Sequence, residues 1–342
     1  RYAKDSKGLA GGALGTGTLP SAVNLEFDSF TPRVTLRFKP SEDLTLYTLV
    51  AKGTKPGEFN TEFFRATIDE SAVNAALNGC VPPPPPAQLP IIPCLPEKQA
   101  IVKEEEQWTY EVGAKARWLD GRLTTNLAAY YIDWTNQGLF TTVQILQTSG
   151  TYLTTTIIRN VGASEVKGLE LETSFRVNDR LSLVANYGYT DSRYVEGTDT
   201  ILGMETDIGG KRVPSVPRNT LILGGVVTVP LTSQADAFLN VDYVYNSRRY
   251  TSANNFGWIG DDRTVNLRAG LQAGSWTITG YVRNLLDDDT PVAVLDFVNF
   301  GPVDVSYPVD ANGNLLNGLD PRMNSINPKR GRDLGLEVQY RF

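Results

Sequence analysis

The stretch Leu334-Gly335-Leu336-Glu337-Val338-Gln339-Tyr340-Arg341-Phe342 alternates apolar and polar residues without a break. Because successive side chains of a β-strand point to opposite faces, this alternation predicts a strand with one apolar face and one polar face. A soluble sheet seldom leaves such a strand uncovered as its last element. In an outer-membrane barrel, the apolar face would contact lipid and the polar face would contact a watery lumen. The end of the chain therefore favours a transmembrane barrel. Its apolar residues are Leu334, Leu336, Val338, Tyr340 and Phe342.

The same period-two alternation recurs along the whole chain. We count about eleven strands and no convincing helix. The clearest examples begin at Val34, Tyr110, Leu169, Leu181, Ala237 and Val265, and weaker ones cover 44–51, 123–134, 221–229 and 276–283. The predicted fold class is therefore all-β, an antiparallel transmembrane barrel of which about 11–12 strands are present.

The connections between these strands alternate in length. Short ones fall at 40–43, 119–121, 178–180, 230–235 and 273–274, and long ones at 52–107, 135–150, 195–217, 250–262 and 286–332. Outer-membrane barrels have short periplasmic turns and long extracellular loops, which is the same parity. Counting backwards from the last strand, Arg1 to Asp5 is expected to be the outer stub of a strand whose beginning is absent. The chain is therefore expected to be the C-terminal part of a larger barrel.

Composition excludes several other classes of protein. Hydrophobic residues make up 41% of the 342 residues, and no stretch approaches the roughly 20 apolar residues of a spanning helix. The net charge of -6 and the lack of a basic block argue against a nucleic-acid partner. The chain has no His, which removes Ser-His-Asp chemistry and the commonest metal ligand. We expect no enzymatic activity, no cofactor and no metal, and a soluble all-β enzyme ranks last.

Several segments resemble motifs of the TonB-dependent outer-membrane transporter family, and they occur in the family's order. They are Phe30-Thr31-Pro32-Arg33-Val34 with Leu44-Thr45-Leu46-Tyr47, Ala51–Gly57, Trp108–Lys115, Leu119–Leu123, Asn160–Ala163 with Val166–Glu170, Val213–Arg218, Val282–Asp287 and Gly331–Phe342. Each motif alone is unspecific, but together they cover nearly the whole chain. The resemblance implies a barrel of about 22 strands with a plugged lumen.

The resemblance also implies a function for the parent protein. Residues 1–342 would form the C-terminal portion of the barrel, without the plug, the TonB-contacting segment or the first half of the barrel. The parent would import a scarce nutrient across the bacterial outer membrane, energised through TonB. An iron–siderophore complex is the leading cargo, ahead of saccharides, cobalamin and aromatic compounds. Two rivals remain open, a passive porin-like diffusion barrel and a structural or adhesive surface barrel.

The expected partners follow from the same resemblance. They are the lipid bilayer and its lipopolysaccharide, the missing plug and strands, and TonB through the plug. The outer-membrane assembly machinery is expected to read the last strand, namely Leu334, Leu336, Val338, Tyr340 and Phe342.

Cys80 and Cys94 are the only cysteines, and they flank a proline run in the longest loop. Surface loops of bacteria lie in an oxidising setting, which favours a disulfide. Closing a loop of this size is worth about 3 kcal/mol in the chain-entropy model. A redox or metal role is a weaker alternative because the spacing fits no compact ligand motif.

Aromatic residues of the outer loops are candidates for gripping a flat or greasy ligand. Alternatively, they pack the loops together or belong to the interfacial girdle. The candidates are Phe140, Tyr250, Phe256, Trp258 and Tyr307. Five further tyrosines fall on the lipid-facing register, where a girdle is the natural interpretation: Tyr131, Tyr187, Tyr189, Tyr243 and Tyr245.

Acidic clusters lie near the expected outer rim, at 261–262, 287–289 and 104–106. Hard carboxylate oxygens could hold a cation there, but solvated strand ends are the preferred interpretation. The glycines of 8–17 lack the strand–loop–helix context of a phosphate site and are expected to form a flexible loop.

Overall fold

The computed structural model describes residues 2–9, 13–14, 17–18, 23–60, 101–146, 152–201, 204–298 and 322–342. Every regular element in these ranges is a β-strand. In chain order they are β1 (Tyr2–Leu9), β2 (Ala13–Leu14), β3 (Gly17–Thr18), β4 (Val23–Phe30), β5 (Arg33–Ser41), β6 (Leu44–Lys55), β7 (Glu58–Phe59), β8 (Ile101–Val102), β9 (Glu105–Trp118), β10 (Leu123–Leu146), β11 (Tyr152–Asn178), β12 (Leu181–Ile201), β13 (Met204–Asp207), β14 (Asn219–Thr232), β15 (Ala235–Asn246), β16 (Arg249–Tyr250), β17 (Trp258–Ile259), β18 (Asp262–Ala273), β19 (Trp276–Arg283), β20 (Ala293–Val298), β21 (Arg322–Asn327) and β22 (Asp333–Tyr340).

Eleven of these strands form one antiparallel sheet in the order β22-β19-β18-β15-β14-β12-β11-β10-β9-β6-β5, with β13 paired to the outer end of β12. Each strand between the two edge strands, β22 and β5, pairs with both of its neighbours in this path. The eleven coincide with the strands predicted from alternation, so the all-β antiparallel class is confirmed. Within the described residues, no helix is both long enough and apolar enough to cross a bilayer.

The strand register builds one apolar flank and one polar flank. Leu171 of β11 lies opposite Leu127 of β10 and Tyr187 of β12, and Tyr187 lies opposite Leu221 of β14. Glu172, the next residue along β11, lies opposite two asparagines instead. Because directly opposed residues share a face, the apolar row continues from strand to strand.

This sheet buries few of its apolar side chains. Leu171 is 36% exposed, and at the two edges Leu36 and Leu336 are 66% and 70% exposed. Among the described residues, the buried apolar side chains lie at outer strand ends or in outer connections, apart from Ala116. They are Val102, Ala116, Ile157, Ala163, Tyr194, Ile208 and Ile259. An apolar flank left open in this way is suited to lipid as its solvent.

Several strands run further outward than the alternation predicted. The connection predicted at 135–150 is mostly strand, since β10 continues to Leu146 and β11 begins at Tyr152. At 24 residues β10 is roughly 80 Å long, more than twice the thickness of a bilayer core. Strands also extend into the predicted loops near 52–107, 195–217 and 286–332, where β6 reaches Lys55 and β12 reaches Ile201. The prediction of loops was wrong at these places. Strands that pair with each other outside the membrane have no lipid to face, so their sequences need not alternate apolar and polar residues.

The short connections are confirmed as tight turns. Two residues join β5 to β6, β11 to β12, β14 to β15 and β18 to β19, and four join β9 to β10. In the four-residue turn, Leu119, Asp120 and Gly121 have positive φ angles of 55°, 55° and 79°. At the other end of the sheet, β1 pairs with β4, which leads into β5 through Thr31 and Pro32. The predicted glycine-rich loop is therefore partly strand, since Gly8 lies in β1.

Candidate functional site

The polar flank carries an aromatic ring opposite a glycine at four places. Tyr47 faces Gly113, Tyr130 faces Gly168, Phe238 faces Gly270 and Tyr281 faces Gly335 across neighbouring strands. In each pair, a Cβ added to the glycine would overlap the ring. The rings therefore lie flat against the wall, as in the aromatic cover of strand glycines. The alternation in the sequence predicted which residues lie on the polar flank, but it did not predict these ring–glycine pairs. Each pair depends on how two neighbouring strands are aligned.

Charged residues of both signs lie on the same flank. They include Arg37, Lys115, Arg117, Glu170, Glu172, Arg176, Asp242, Arg268 and Arg283. Several are tied to neighbours, since Asn126 Nδ2 donates to Glu172 Oε2 at 3.1 Å and Arg283 Nη1 lies 3.5 Å from Asp333 Oδ2. The flank is a hydrated, mixed-charge wall rather than a surface of one sign.

A recess of about 410 Å³ opens on this wall near the last strands. It is lined by side chains of β14, β15, β18, β19 and β22, among them Asp236, Phe238, Arg268, Tyr281 and Glu337. Two carboxylates, two guanidinium groups and two rings meet there. The recess is therefore suited to a polar surface that occupies the lumen.

A second candidate site lies in the outer connection between β15 and β18. Tyr250 and Trp258 are opposite each other across β16 and β17, and the Arg248 guanidinium lies 5.8 and 5.6 Å from their ring centroids. In the same connection, the Phe256 ring lies 5.5 Å from Lys211 Nζ. Trp258 is 58% exposed, so this ring is open to a ligand. Aromatic rings beside exposed cations can bind an anionic, ring-bearing molecule.

This site therefore brings together three of the five predicted loop aromatics. Its two cations were not predicted, although Arg248 precedes Tyr250 by two residues and would have been a usable signal. The site is held by neighbouring loops. Asn255, with φ at 60°, accepts from Arg212 N and donates to Arg212 O, both at 2.8 Å, and Lys211 Nζ donates to Asn254 O at 2.9 Å.

The remaining predicted residues lie elsewhere. Phe140 belongs to the outer part of β10 and is 74% exposed. Tyr307, Cys80 and Cys94 lie outside the described residues, so the disulfide stays a prediction. The apolar residues of the last strand share its outward face, and the Tyr340 ring contacts Trp276 at 4.8 Å and Phe342 at 5.1 Å between centroids.

The acidic clusters at 261–262 and 287–289 are not simply solvated strand ends. Lys329 Nζ lies against the carboxylate of Asp262 and 3.5 Å from that of Asp288, and all three side chains are at least four-fifths buried. Asp288 also accepts hydrogen bonds from the backbone N–H of Arg263 at 3.0 Å and of Thr290 at 2.9 Å. The preferred interpretation was therefore wrong here, because Lys329 joins the two clusters into one network.

The pKa of Asp288 reflects this setting. Burial opposes its ionisation, but the backbone hydrogen bonds from Arg263 and Thr290 and the charge of Lys329 outweigh burial and lower the pKa. Within the described chain, no group of His, Cys, Asp and Glu is arranged to hold a metal ion.

The cluster at 104–106 contains a buried charge. Glu105 is 4% exposed, with Lys55 Nζ at 2.8 Å from one carboxylate oxygen and Trp134 Nε1 at 3.0 Å from the other. Glu105 therefore links the outer parts of β6, β9 and β10.

Comparison with known proteins adds a family match. The family model described as "TonB dependent receptor-like, beta-barrel" matches residues 1–285. A protein of Acinetobacter baumannii, "Probable TonB-dependent siderophore receptor PiuA", is 28% identical over 238 residues, which are 68% of this chain and 26% of that protein. The "Ferric-pyoverdine M114 receptor PbuA" of a Pseudomonas strain is 32% identical over 119 residues, 34% of this chain and 13% of that protein.

Solved structures share the fold. The ferric yersiniabactin uptake receptor FyuA of Yersinia pestis superposes with a TM-score of 0.63 at 18% identity, covering 95% of this chain and 39% of that one. The siderophore receptor PiuA of Acinetobacter baumannii gives 0.61 at 20% identity, covering 94% and 37%. The chain thus spans less than half the length of each of these relatives.

Proposed function

Because the chain belongs to the TonB-dependent receptor family of outer-membrane β-barrels, we propose that it helps to import an iron–siderophore complex across the outer membrane. Energy would come from TonB. The chain would supply part of the barrel wall and of the extracellular loops. The observation that carries this proposal is the continuous eleven-strand wall with one apolar flank and one polar flank.

The cargo class is supported by the named relatives. PiuA and PbuA are described as receptors for siderophores or ferric pyoverdine, and FyuA as an uptake receptor for ferric yersiniabactin. The family match also favours active transport over a passive pore or an adhesive barrel. A transporting wall needs no catalytic group, so the chain would not be an enzyme.

The rest of the barrel would come from residues outside this chain. The relatives are more than twice as long as the part that this chain matches. We propose that residues 1–342 form the C-terminal portion of the barrel and that a plug, which contacts TonB, fills the lumen. The mixed charges of the recess near Arg268 and Glu337 would face that plug.

The ligand would be gripped from the outside by the aromatic connection between β15 and β18. Tyr250 and Trp258 would stack on the rings of an iron chelate, and Arg248 would neutralise part of its charge. Phe256 beside Lys211 would offer a second contact of the same kind. Cys80 and Cys94 would stiffen another extracellular loop by a disulfide, namely the one in the predicted connection 52–107.

Two further partners are proposed on chemical grounds. The apolar flank would contact the bilayer and its lipopolysaccharide. The outward residues of β22 and the fully exposed Phe342 beyond it would be read by the outer-membrane assembly machinery.

Uptake of radiolabelled iron under iron limitation tests the transport function. Deletion of the gene should abolish uptake of the cognate siderophore complex and slow growth, and a plasmid copy should restore both. Uptake that persists in the deletion strain with every siderophore supplied would overturn the proposal.

The dependence of uptake on the concentration of the iron–siderophore complex, which reports its apparent affinity, tests the ligand site. Trp258→Ala should weaken siderophore binding by about 0.5–1.5 kcal/mol of stacking energy, and Arg248→Ala should weaken it as well. Phe140→Ala is the matched control, since Phe140 is an exposed aromatic as well, at 74% against 58% for Trp258, but lies on β10 in another part of the outer surface. If Trp258→Ala and Arg248→Ala bind the siderophore complex as tightly as the Phe140→Ala control does, the proposed ligand site is wrong. The transport function would not be affected by that result.

A further inference from the structure

The outer connection between β15 and β18 contains a very short ladder, β16 paired with β17. Tyr250 lies opposite Trp258, and Arg249 lies opposite Ile259. Because neighbouring residues of a strand point to opposite faces, each of these two pairs occupies its own face of the ladder. Trp258 is 58% exposed, whereas Ile259 is only 6% exposed. The ladder therefore has an open face with Tyr250 and Trp258, which we call the ligand face, and a packed face.

A ladder of this length does not hold itself in place. An isolated two-stranded hairpin is marginally stable at best in water, and here each strand has two residues. The geometry of the ligand face must therefore be fixed by contacts outside the ladder. Arg249 and Asp261 make such contacts, and neither residue lies on the ligand face.

Arg249 ties the packed face to the connection between β19 and β22. Its Nη2 donates to the carbonyl oxygen of Pro291 at 3.2 Å and to that of Val292 at 3.0 Å. The adjacent Arg248 has the opposite arrangement, because its side chain is exposed and lies near the two rings of the ligand face. Of these two neighbouring arginines, one faces the ligand and the other holds the strand.

Asp261 fixes the backbone at Arg248 itself. Its Oδ1 accepts a hydrogen bond from Arg248 N at 2.9 Å, and its Oδ2 accepts one from the Tyr245 hydroxyl at 3.3 Å. The backbone carbonyl of Asp261 accepts a hydrogen bond from Thr290 Oγ1 at 3.2 Å. Asp261 thus joins the end of β15, the ligand segment and the connection between β19 and β22.

The connection that receives these hydrogen bonds is itself held in place. Asp288 in this connection lies 3.5 Å from Lys329 Nζ and accepts hydrogen bonds from two backbone N–H groups. Val292 N donates to Asn327 O at 3.0 Å. The ligand face is therefore attached to a support whose own order does not depend on a ligand.

We propose that Arg249 and Asp261 are positioning residues for capture of the iron–siderophore complex. They hold the ring of Trp258 and the guanidinium of Arg248 in the ligand-binding arrangement before the ligand arrives. A site that is already ordered loses less conformational entropy on binding, so its affinity is higher. This inference rests on the ligand site of the proposed function, and it adds two residues that do not touch the ligand.

Charge and position predict opposite results when Asp261 is changed. Asp261 is an anion close to Arg248, so loss of its charge alone should strengthen the binding of an anionic ligand. If Asp261 positions Arg248, loss of its acceptor oxygen should weaken binding instead. Asp261→Ala and Asp261→Asn remove the same charge, but only asparagine keeps an oxygen that can accept from Arg248 N. This pair of variants therefore separates the two effects.

The test uses the native protein, purified in mild detergent, with a ferric tricatecholate as the probe. This iron chelate is anionic and carries aromatic rings, which are the two properties that the ligand face recognises. Asp261→Ala should bind the probe about tenfold more weakly than the native protein, because binding must then also order the segment at Arg248. Asp261→Asn should restore the affinity. Binding is followed by the quenching of tryptophan fluorescence.

Arg249→Ala should weaken binding of the probe to a similar extent, without changing how the affinity depends on salt. Arg248→Ala should reduce that salt dependence, because Arg248 contributes through its charge and salt screens exposed charges. Arg330→Ala is the matched control for the loss of a cation, since the Arg330 side chain is 78% exposed and lies outside the ligand connection. Its affinity should equal that of the native protein.

The order of the ligand face is also measured in the protein without ligand. The chain has five tryptophans, so the contribution of Trp258 to the fluorescence anisotropy is obtained by comparison with the same protein carrying Trp258→Phe. This contribution should fall in Asp261→Ala and in Arg249→Ala, and it should be native in Asp261→Asn. Folding of every variant is checked by its heat-dependent migration in detergent gels.

Two results would overturn the inference. One is binding of the probe by folded Asp261→Ala that equals or exceeds binding by the native protein. The other is an unchanged contribution of Trp258 to the anisotropy in folded Asp261→Ala and Arg249→Ala.

Iron uptake separates this inference from the proposed function. If uptake depends on the gene but the two alanine variants behave like the native protein, only the positioning roles are wrong. If uptake persists in the deletion strain, the transport function is wrong. The anisotropy of the ligand-free protein still tests the positioning roles in that case.

Discussion

At the scale of single residues, glycines on the polar flank are fixed by the rings opposite them. Gly168 illustrates this, because an added Cβ would overlap carbon atoms and the hydroxyl of Tyr130. Tyr130 in turn lies 3.2 Å from the Thr190 hydroxyl of the next strand but one. The ring therefore bridges three strands, and the glycine makes room for it.

Gly168→Ala should destabilise the barrel by about 1–3 kcal/mol, because overpacking forces the ring or the backbone to move. Gly224→Ala is the matched control on the same flank, since its new Cβ would come no closer than 3.6 Å to another atom. Urea unfolding in detergent micelles measures both. In the double variant Tyr130→Ala, Gly168→Ala, the added methyl should no longer cost stability relative to Tyr130→Ala alone, and persistence of the full cost would contradict the argument.

Asn284, from the motif Val282–Asp287, holds the backbone together just beyond the outer end of β19. It is 4% exposed with φ at 50°, and its Nδ2 donates to Asp288 O at 2.9 Å and to Arg330 O at 3.1 Å. Its Oδ1 accepts from Asp288 N at 3.0 Å. Asparagine tolerates the left-handed region and supplies both donor and acceptor.

At the scale of elements, the network of Asp262, Lys329 and Asp288 anchors the outer connection between β19 and β22. The pKa of Asp288 is lowered from the ordinary aspartate value of 3.8, so the carboxylate stabilises this anchor above that pH. Its contribution is lost as the pH falls through the lowered pKa.

Asp288→Asn should therefore lower the thermal unfolding midpoint at neutral pH, and the difference from the native protein should shrink below about pH 4. Lys329→Gln should start the loss at a higher pH, because one cause of the lowered pKa is removed. Asp289→Asn is the control with the same chemical change one residue away. A difference between native protein and Asp288→Asn that stays constant down to the acid limit would contradict this assignment.

The last strand is the other element with a specific expectation. Phe342 stands free except for its edge contact with the Tyr340 ring, so its removal should cost the folded wall little. Deleting Phe342 should nevertheless lower the amount of assembled protein in the outer membrane, if the terminal ring is read during insertion. Quantitative immunoblots of outer membranes measure this, with Arg341→Gln as the control. Unchanged levels would remove the assembly role.

At the scale of the whole molecule, the two flanks of the sheet should respond oppositely to a buried charge. Leu171 lies in the middle of the apolar flank, whereas Ser174 lies on the polar flank of the same strand. Leu171→Arg should cost roughly 2–4 kcal/mol of folding free energy in a bilayer, and Ser174→Arg should cost little. Folding into lipid vesicles at varied denaturant measures the difference, and equal costs would exclude the assigned orientation of the wall.

The sequence alone determined the strands that face lipid and the parity of their connections. Alternation is a local property, because each side chain of a strand is directed by its own backbone and by its nearest neighbours along the chain. Tight turns likewise depend on a few adjacent residues, so the succession from Arg33 to Tyr340 was readable in advance.

Only the tertiary structure decided which residues meet across strands. The outer extensions of β10 and β11, the ring of Tyr130 over Gly168 and the Lys329 network all depend on register. Register is set jointly by turn geometry, bulges and ladders between segments that are far apart in the chain. One such bulge follows Trp134, where Asn136 has a φ of 53°. No local pattern contains that information, because a single-residue slip would exchange every neighbour on both flanks.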